Sequence, residues 1–131
     1  MATTREEAER KIRAKEAELG LTPGLLSSIW AQESGRSLDL GLKGQDLSRN
    51  RGNAVGPFQI VPYYHPNADL STFDSQMDYA GNLLKKGGVR AYYGTGTAPP
   101  GHPTTDQYEA QVMARIGATP SREKARSPCS A

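Results

Sequence analysis

The sequence has little cysteine, little net charge and no long hydrophobic run. Its only cysteine, Cys129, cannot form an internal disulfide, and one thiol without organised partners is not a metal site. The formal net charge is +2, and no basic cluster alternates with aromatic residues, as is common in nucleic-acid-binding proteins. No segment approaches the ~18 apolar residues of a membrane span. We therefore expect no cofactor, no metal, no nucleic acid and no membrane span.

Two further absences concern targeting and catalysis. The first residues are charged and polar and lack the apolar stretch of a secretory signal. We therefore expect a chain made in the cytoplasm, which something else must deliver if its target lies outside. The two histidines, His65 and His102, each lie beside a proline in loop-like sequence. Isolated histidines of this kind are mostly structural or solvated, so neither is expected to be catalytic.

The residues that are present indicate one mainly α domain. A chain of 131 residues with 36% hydrophobic residues suffices for one modest core, and its 14 glycines and 9 prolines indicate many turns. Residues 3–19 are typical of a helix with a thin apolar stripe, ended by Gly20. We expect this helix, within residues 1–20, to be peripheral and either to pack by its stripe or to serve as an arm for a partner.

The remaining helices follow from capping signals and apolar periodicity. Thr22 and Pro23 predict the start of a second helix that runs to about Ser34. A third helix is predicted from residue 71 or 72 to Lys86, then a short helix over 89–93, and a last helix capped by Thr105 that runs to about residue 116. Residues 118–131 are rich in serine, proline and charge, which predicts a flexible tail.

The segments between these helices are long for so small a domain. Residues 36–55 are polar and predict loops, with at most a short helical turn or a β-hairpin. Residues 56–62 (Gly-Pro-Phe-Gln-Ile-Val-Pro) are apolar and predict either a buried strand or another short buried segment. Pro57 and Pro62 argue against a central strand. The expected fold is therefore mainly α, with long loops and little or no β-structure, and long ordered loops are often functional.

The predicted second helix places a carboxylate on its apolar face. Leu26, Ile29, Trp30 and Glu33 follow the spacing i, i+3, i+4 and i+7, so they share one face of a helix. Burial against apolar groups raises the pKa of a carboxyl group and keeps its proton available near neutral pH. Glu33 is therefore a candidate acid. The alternative is a carboxylate at a helix end that reaches water or an arginine.

Three segments, in order, resemble the soluble lytic transglycosylase (SLT-type) branch of the lysozyme superfamily. Glu33-Ser34 at a helix end looks like the catalytic Glu-Ser pair of that family. Residues 56–62 look like its Gly-x-x-Gln-Ile-x-Pro segment, and residues 91–96 (Ala-Tyr-Tyr-Gly-Thr-Gly) look like its Ala-x-Tyr-Asn-x-Gly segment. The resemblance covers about residues 21–117, so these residues are expected to form a lysozyme-like domain.

The resemblance implies an enzyme that cleaves the β-1,4 bond between N-acetylmuramic acid and N-acetylglucosamine in peptidoglycan. Glu33 would act as acid and then base, giving 1,6-anhydromuramic acid ends. The implied substrate-binding residues, in the glycan site beside Glu33, are Ser34, Gln59, Tyr93 as a site hydroxyl, and Phe58 and Ile60 through their backbone. Action in the periplasm or cell wall implies delivery by a virion or secretion machine, whose proteins could bind the N-terminal helix or the tail.

The sequence also departs from the family pattern and leaves other functions open. Gly94 replaces the asparagine of the third segment, and Phe58 replaces the usual methionine. A hydrolytic muramidase needs a second carboxylate, for which Asp39, Asp46, Asp69 and Asp78 are unmarked candidates. Alternatively, the domain is a structural component of a virion or secretion machine with little activity. Each implied site residue also has a purely structural interpretation, such as local bonding for Ser34 or packing for Phe58 and Ile60.

Overall fold

A computed structural model describes residues 3–46, 53–93 and 103–117 of the chain. Within these ranges the fold has four helices and one two-stranded sheet, which confirms a mainly α chain with little β-structure. No helix in the described part has the length and hydrophobicity needed to cross a membrane. The elements, in chain order, are α1 (Arg5–Leu19), α2 (Leu25–Ser34), β1 (Lys43–Asp46), β2 (Asn53–Val55), α3 (Phe73–Tyr93) and α4 (Thr105–Arg115). His102, Gly94, Cys129 and the predicted tail lie outside the described residues.

One hydrophobic core joins all four helices with the turn that follows β2. Trp30 of α2 is fully buried and meets Phe73 of α3 edge-on, with ring centroids 6.0 Å apart. Phe58 is also fully buried and packs against Phe73 at 5.6 Å. The thin stripe of α1 enters this core through Ala8 and Ile12, both of which are fully buried. The helix predicted as peripheral therefore packs by its stripe, while its other faces remain largely accessible.

A buried carboxylate from α1 caps the start of α2. Glu16 is 3% exposed and accepts hydrogen bonds from the backbone N–H groups of Gly24 (2.8 Å) and Ser27 (3.0 Å). These are among the unpaired donors at a helix N-terminus, where the helix dipole also favours negative charge. The predicted start at Thr22 and Pro23 is therefore wrong by two residues. The helix begins at Leu25, after Gly24 in a left-handed conformation (φ 90°), because its cap comes from another helix.

The segment 56–62 forms a tight turn rather than a central strand. Val55 and Ile60 pair antiparallel through N–H···O bonds of 2.9 and 3.0 Å, and Gly56 to Gln59 connect them. A side chain at Gly56 (φ 83°) would put its Cβ 2.0 Å from Oε1 of the buried Gln76, so this turn requires glycine. The strands β1 and β2 pair antiparallel before it, so the hairpin alternative holds for residues 36–55.

The last two helices largely follow their capping signals. Thr72 caps α3 by accepting from the N–H of Ser75 (3.0 Å), and Gly88 (φ 76°) interrupts the helix near its end, where the sequence predicts a stop before residues 89–93. The cap of α4 is Thr104 and not the predicted Thr105, which is the first residue of the helix. Thr104 and Gln107 form a reciprocal capping box.

Candidate active site

The apolar face of α2 places Glu33 at the edge of the core. The side chain is partly buried, and Oε2 accepts a short hydrogen bond from the Tyr108 hydroxyl of α4. Burial raises the pKa of Glu33 to about 7, and the Tyr108 hydrogen bond opposes that rise by stabilising the charged form. Near neutral pH this carboxyl group is thus present in both its protonated and its charged form, and it can both donate and accept a proton.

Three tyrosines surround this carboxyl group. Tyr108 stacks on Tyr93, with ring centroids 4.1 Å apart and 13° between the ring planes. Burial, and then the negative charge of Glu33, raise the pKa of Tyr93 and hold those of Tyr92 and Tyr108 well above the usual value. All three therefore keep their phenol protons at neutral pH.

The hydroxyl that contacts Glu33 comes from an unexpected tyrosine. The sequence predicts Tyr93 as the site hydroxyl, but its hydroxyl donates to the carbonyl oxygen of Pro103 at 2.5 Å. Tyr93 reaches the site through its ring, which supports Tyr108 from one side. Tyr108 lies on the buried side of α4 with Val112, and no sequence motif marks it as a functional residue. The missed signal is chemical, because a tyrosine on a buried stripe needs a partner for its hydroxyl.

The turn 56–60 buries its apolar side chains in the core and contacts the tyrosine cluster through its main chain. Phe58 is fully buried and Ile60 is 3% exposed. Both side chains therefore belong to the core, as their structural interpretation predicts, and substrate binding by the backbone around them stays a prediction. The main-chain carbonyl of Phe58 accepts a 2.5 Å hydrogen bond from the Tyr92 hydroxyl. This bond links the turn to the tyrosine cluster.

Gln59 holds the turn in shape and stays half-buried. Its Nε2 donates to the carbonyl oxygens of Gly56 (2.8 Å) and Leu42 (3.2 Å). Its backbone has a positive φ of 51°, which is uncommon for a residue other than glycine. These two side-chain bonds fix the strained residue and tie the turn to the chain before β1. The contacts of the Gln59 amide are structural, and its predicted contact with a sugar remains a prediction.

Ser34 makes local bonds at the end of α2. Its hydroxyl donates to the carbonyl oxygen of Trp30 (3.2 Å) and accepts from the N–H of Ser37 (3.1 Å). Gly35 then ends the helix in the left-handed conformation, with φ 63°. Ser34 therefore fixes the helix end that carries Glu33, as its purely structural interpretation predicts, and its predicted role in substrate binding remains untested.

Among the described side chains, no second carboxylate contributes to the shift in the pKa of Glu33, which arises from burial and from Tyr108 alone. Asp39 accepts from the N–H of Gly41, Asp69 from Ser71, and Asp78 pairs with Lys15 at 3.0 Å. The side chain of Asp46 lies outside the described part. The described residues also contain no group of three or more His, Cys, Asp or Glu that could hold a metal ion.

A line of polar side chains runs along the seam between α2 and α4. Ser28 donates to the carbonyl oxygen of Val112 at 2.7 Å in the buried part of the seam. At its exposed rim, Nε2 of Gln32 donates to Oε1 of Gln111 at 2.6 Å, and the Arg115 guanidinium donates to Oε1 of Gln32. These contacts fix α4, and with it the Tyr108 hydroxyl, against the helix that carries Glu33.

Comparisons of the chain with protein-family models, with curated proteins and with solved structures find no match.

Proposed function

We propose that this chain is a lytic transglycosylase with a lysozyme-like domain, which cleaves the glycan strands of peptidoglycan. The carrying observation is Glu33, a partly buried carboxyl group with a pKa of about 7 and a hydrogen bond from Tyr108. An acid catalyst works best when its pKa lies near the working pH, because it is then protonated often enough and still gives up its proton. The three sequence segments that resemble the family supply the substrate class.

The reaction needs one proton donor and one proton acceptor, and Glu33 serves as both. The protonated carboxyl group gives its proton to the oxygen between C1 of the muramic residue and C4 of the glucosamine residue, and the C1–O bond breaks. The resulting carboxylate then takes the proton of the muramic 6-hydroxyl, and the oxygen of that hydroxyl bonds to C1 of the same ring. The products are a 1,6-anhydromuramic end and a free 4-hydroxyl, and no water is consumed.

The surrounding residues set the state and position of that carboxyl group. Tyr108 orients Oε2 and stabilises the charged form, which exists between the two proton transfers. Tyr93 holds the Tyr108 ring, and Tyr92 connects the cluster to the turn 56–60. The substrate in this proposal lies against the accessible side of Glu33. Delivery to the cell wall by a virion or a secretion machine is part of the same proposal.

Digestion of purified sacculi, followed by mass spectrometry of the products, tests the proposal. We expect anhydromuramic ends from the wild-type chain and none from Glu33→Gln, which keeps the size of the side chain but cannot supply the proton. Glu18→Gln is the matched control, because Glu18 is an exposed residue of α1 that pairs with Lys15. Reducing ends from the wild type would instead identify a hydrolytic muramidase, and the absence of any product would favour a structural component.

A further inference from the structure

The rim of the α2–α4 seam carries a cation with no carboxylate partner among the described residues. The Arg115 guanidinium bonds to the neutral amide of Gln32, and none of the ion pairs formed by the described side chains includes it. By contrast, the acidic side chains of α4, Asp106 and Glu109, both contact Arg90 of α3. The positive charge of Arg115 is therefore not neutralised by its own helix.

The orientation of this guanidinium is fixed by a chain of amides. Gln111 accepts from Nε2 of Gln32, and this leaves Oε1 of Gln32 directed at Arg115. An arginine side chain held in this way loses less conformational entropy when it binds an anion than a freely rotating one. Its remaining N–H groups present a planar set of donors, which matches the geometry of a carboxylate.

This cation and the candidate acid both lie along the seam between α2 and α4. Gln32 and Glu33 are consecutive residues, and both reach across to α4, Gln32 to Gln111 and Glu33 to Tyr108. Tyr108 and Arg115 are seven residues apart on α4, which corresponds to about 10 Å along the helix. A ligand whose reacting bond lies at Glu33 can therefore place an anionic substituent at Arg115.

Peptidoglycan offers such a substituent. The peptide stem is attached at C3 of the same muramic ring whose C1 forms the bond to be cleaved, and its residues carry free carboxylates. We infer that Arg115, oriented by Gln32 and Gln111, binds a carboxylate of the peptide stem and makes the site selective for stem-bearing glycan over naked glycan. This inference rests on the proposed function, since it names which form of the substrate that site prefers.

A binding experiment tests the inference without depending on catalysis. Titration calorimetry compares a muramyl dipeptide that has free carboxylates with its amidated, neutral counterpart. The wild-type chain should bind the anionic probe more tightly, by up to about fivefold, as expected for one accessible ion pair. Arg115→Gln should abolish that preference and Arg115→Lys should keep part of it. Arg13→Gln, which removes an exposed cation of α1, should leave the preference unchanged.

The salt dependence adds a second readout. Raising the ionic strength from 0.05 to about 0.5 M should reduce the preference in the wild type, because an accessible ion pair is screened. Equal affinity for both probes in the wild type, no binding of either, or a preference that survives in Arg115→Gln would each overturn the inference. If charge selectivity depends on Arg115 but sacculi yield no products, the proposed function fails and stem binding stands. If anhydro products form but the chain does not distinguish the two probes, the proposed function stands and stem binding by Arg115 fails.

Discussion

Glu33→Gln should stabilise the folded chain at alkaline pH, because the native structure holds a carboxyl group where its charged form is unfavourable. The pKa of Glu33 is about 7 in the folded state against 4.5 for the unperturbed group. The folded chain therefore retains a proton between these two pH values that the unfolded chain has lost. By linkage, the contribution of this group to stability is greatest below pH 4.5 and is lost as the pH rises to 7.

The size of the effect follows from the same shift. Each pKa unit corresponds to about 1.36 kcal/mol, so two and a half units give about 3 kcal/mol. Since Glu33 keeps some exposure to water, we expect about 2–3 kcal/mol at pH 8. Glutamine can still accept the Tyr108 hydrogen bond through its carbonyl oxygen and carries no charge, so the variant avoids this cost.

Urea unfolding of both chains between pH 4 and pH 8 provides the measurement. The free energy of unfolding of Glu33→Gln should exceed that of the wild type at pH 8, and the difference should vanish near pH 4. Glu18→Gln should show no comparable trend, because that carboxylate is exposed. A wild type that is as stable as Glu33→Gln at pH 8, or more so, would refute the reasoning about burial at this site.

Two further predictions concern the groups that contact helix α2. Tyr108→Phe keeps the stacked ring but removes the hydroxyl that lowers the pKa of Glu33, so that pKa should rise above its value of about 7. NMR titration of the Glu33 carboxyl carbon measures this pKa, with Tyr79→Phe as the control, and a downward shift would be the contrary result. Glu16→Gln weakens the cap of α2 and should lower the free energy of unfolding by about 1–2 kcal/mol at pH 7. Urea titration checks this second value, and an unchanged midpoint would contradict the capping role.

Local patterns were sufficient to predict most of the helical framework and the position of Glu33. The repeat of Leu26, Ile29 and Trp30 defines one helix face, and Glu33 must follow on that face whatever the rest of the chain does. Helix ends marked by a left-handed glycine, such as Gly35, could be predicted equally well, because the conformation of a helix end depends on the nearest residues.

Contacts between distant segments could not be predicted in the same way. The cap of α2 comes from Glu16, and the hydroxyl on Glu33 comes from Tyr108, 75 residues further along the chain. Neither pairing leaves a local pattern, because each depends on how two helices pack. Tyr93 was the expected site hydroxyl because it stands at the tyrosine position of the segment that resembles the family. In the structure its hydroxyl donates to the carbonyl oxygen of Pro103. A tyrosine hydroxyl near Glu33 could therefore be predicted, but which tyrosine supplies it could not.

The arrangement around Glu33 bears on the choice between the two glycan-cleaving reactions. Hydrolysis with retention or inversion divides the work between two carboxyl groups, whose pKa values are held apart so that one is an acid while the other is charged. A single group that must first give and then take a proton is best served by a pKa near the working pH. Burial raises the pKa of Glu33 to about 7, and Tyr108 stabilises the charged form that the first step creates. Because the acid of a retaining muramidase also needs a raised pKa, the choice depends on the second carboxyl group. Among the described side chains none contributes to the pKa shift of Glu33, and this supports the proposed transglycosylase over the muramidase.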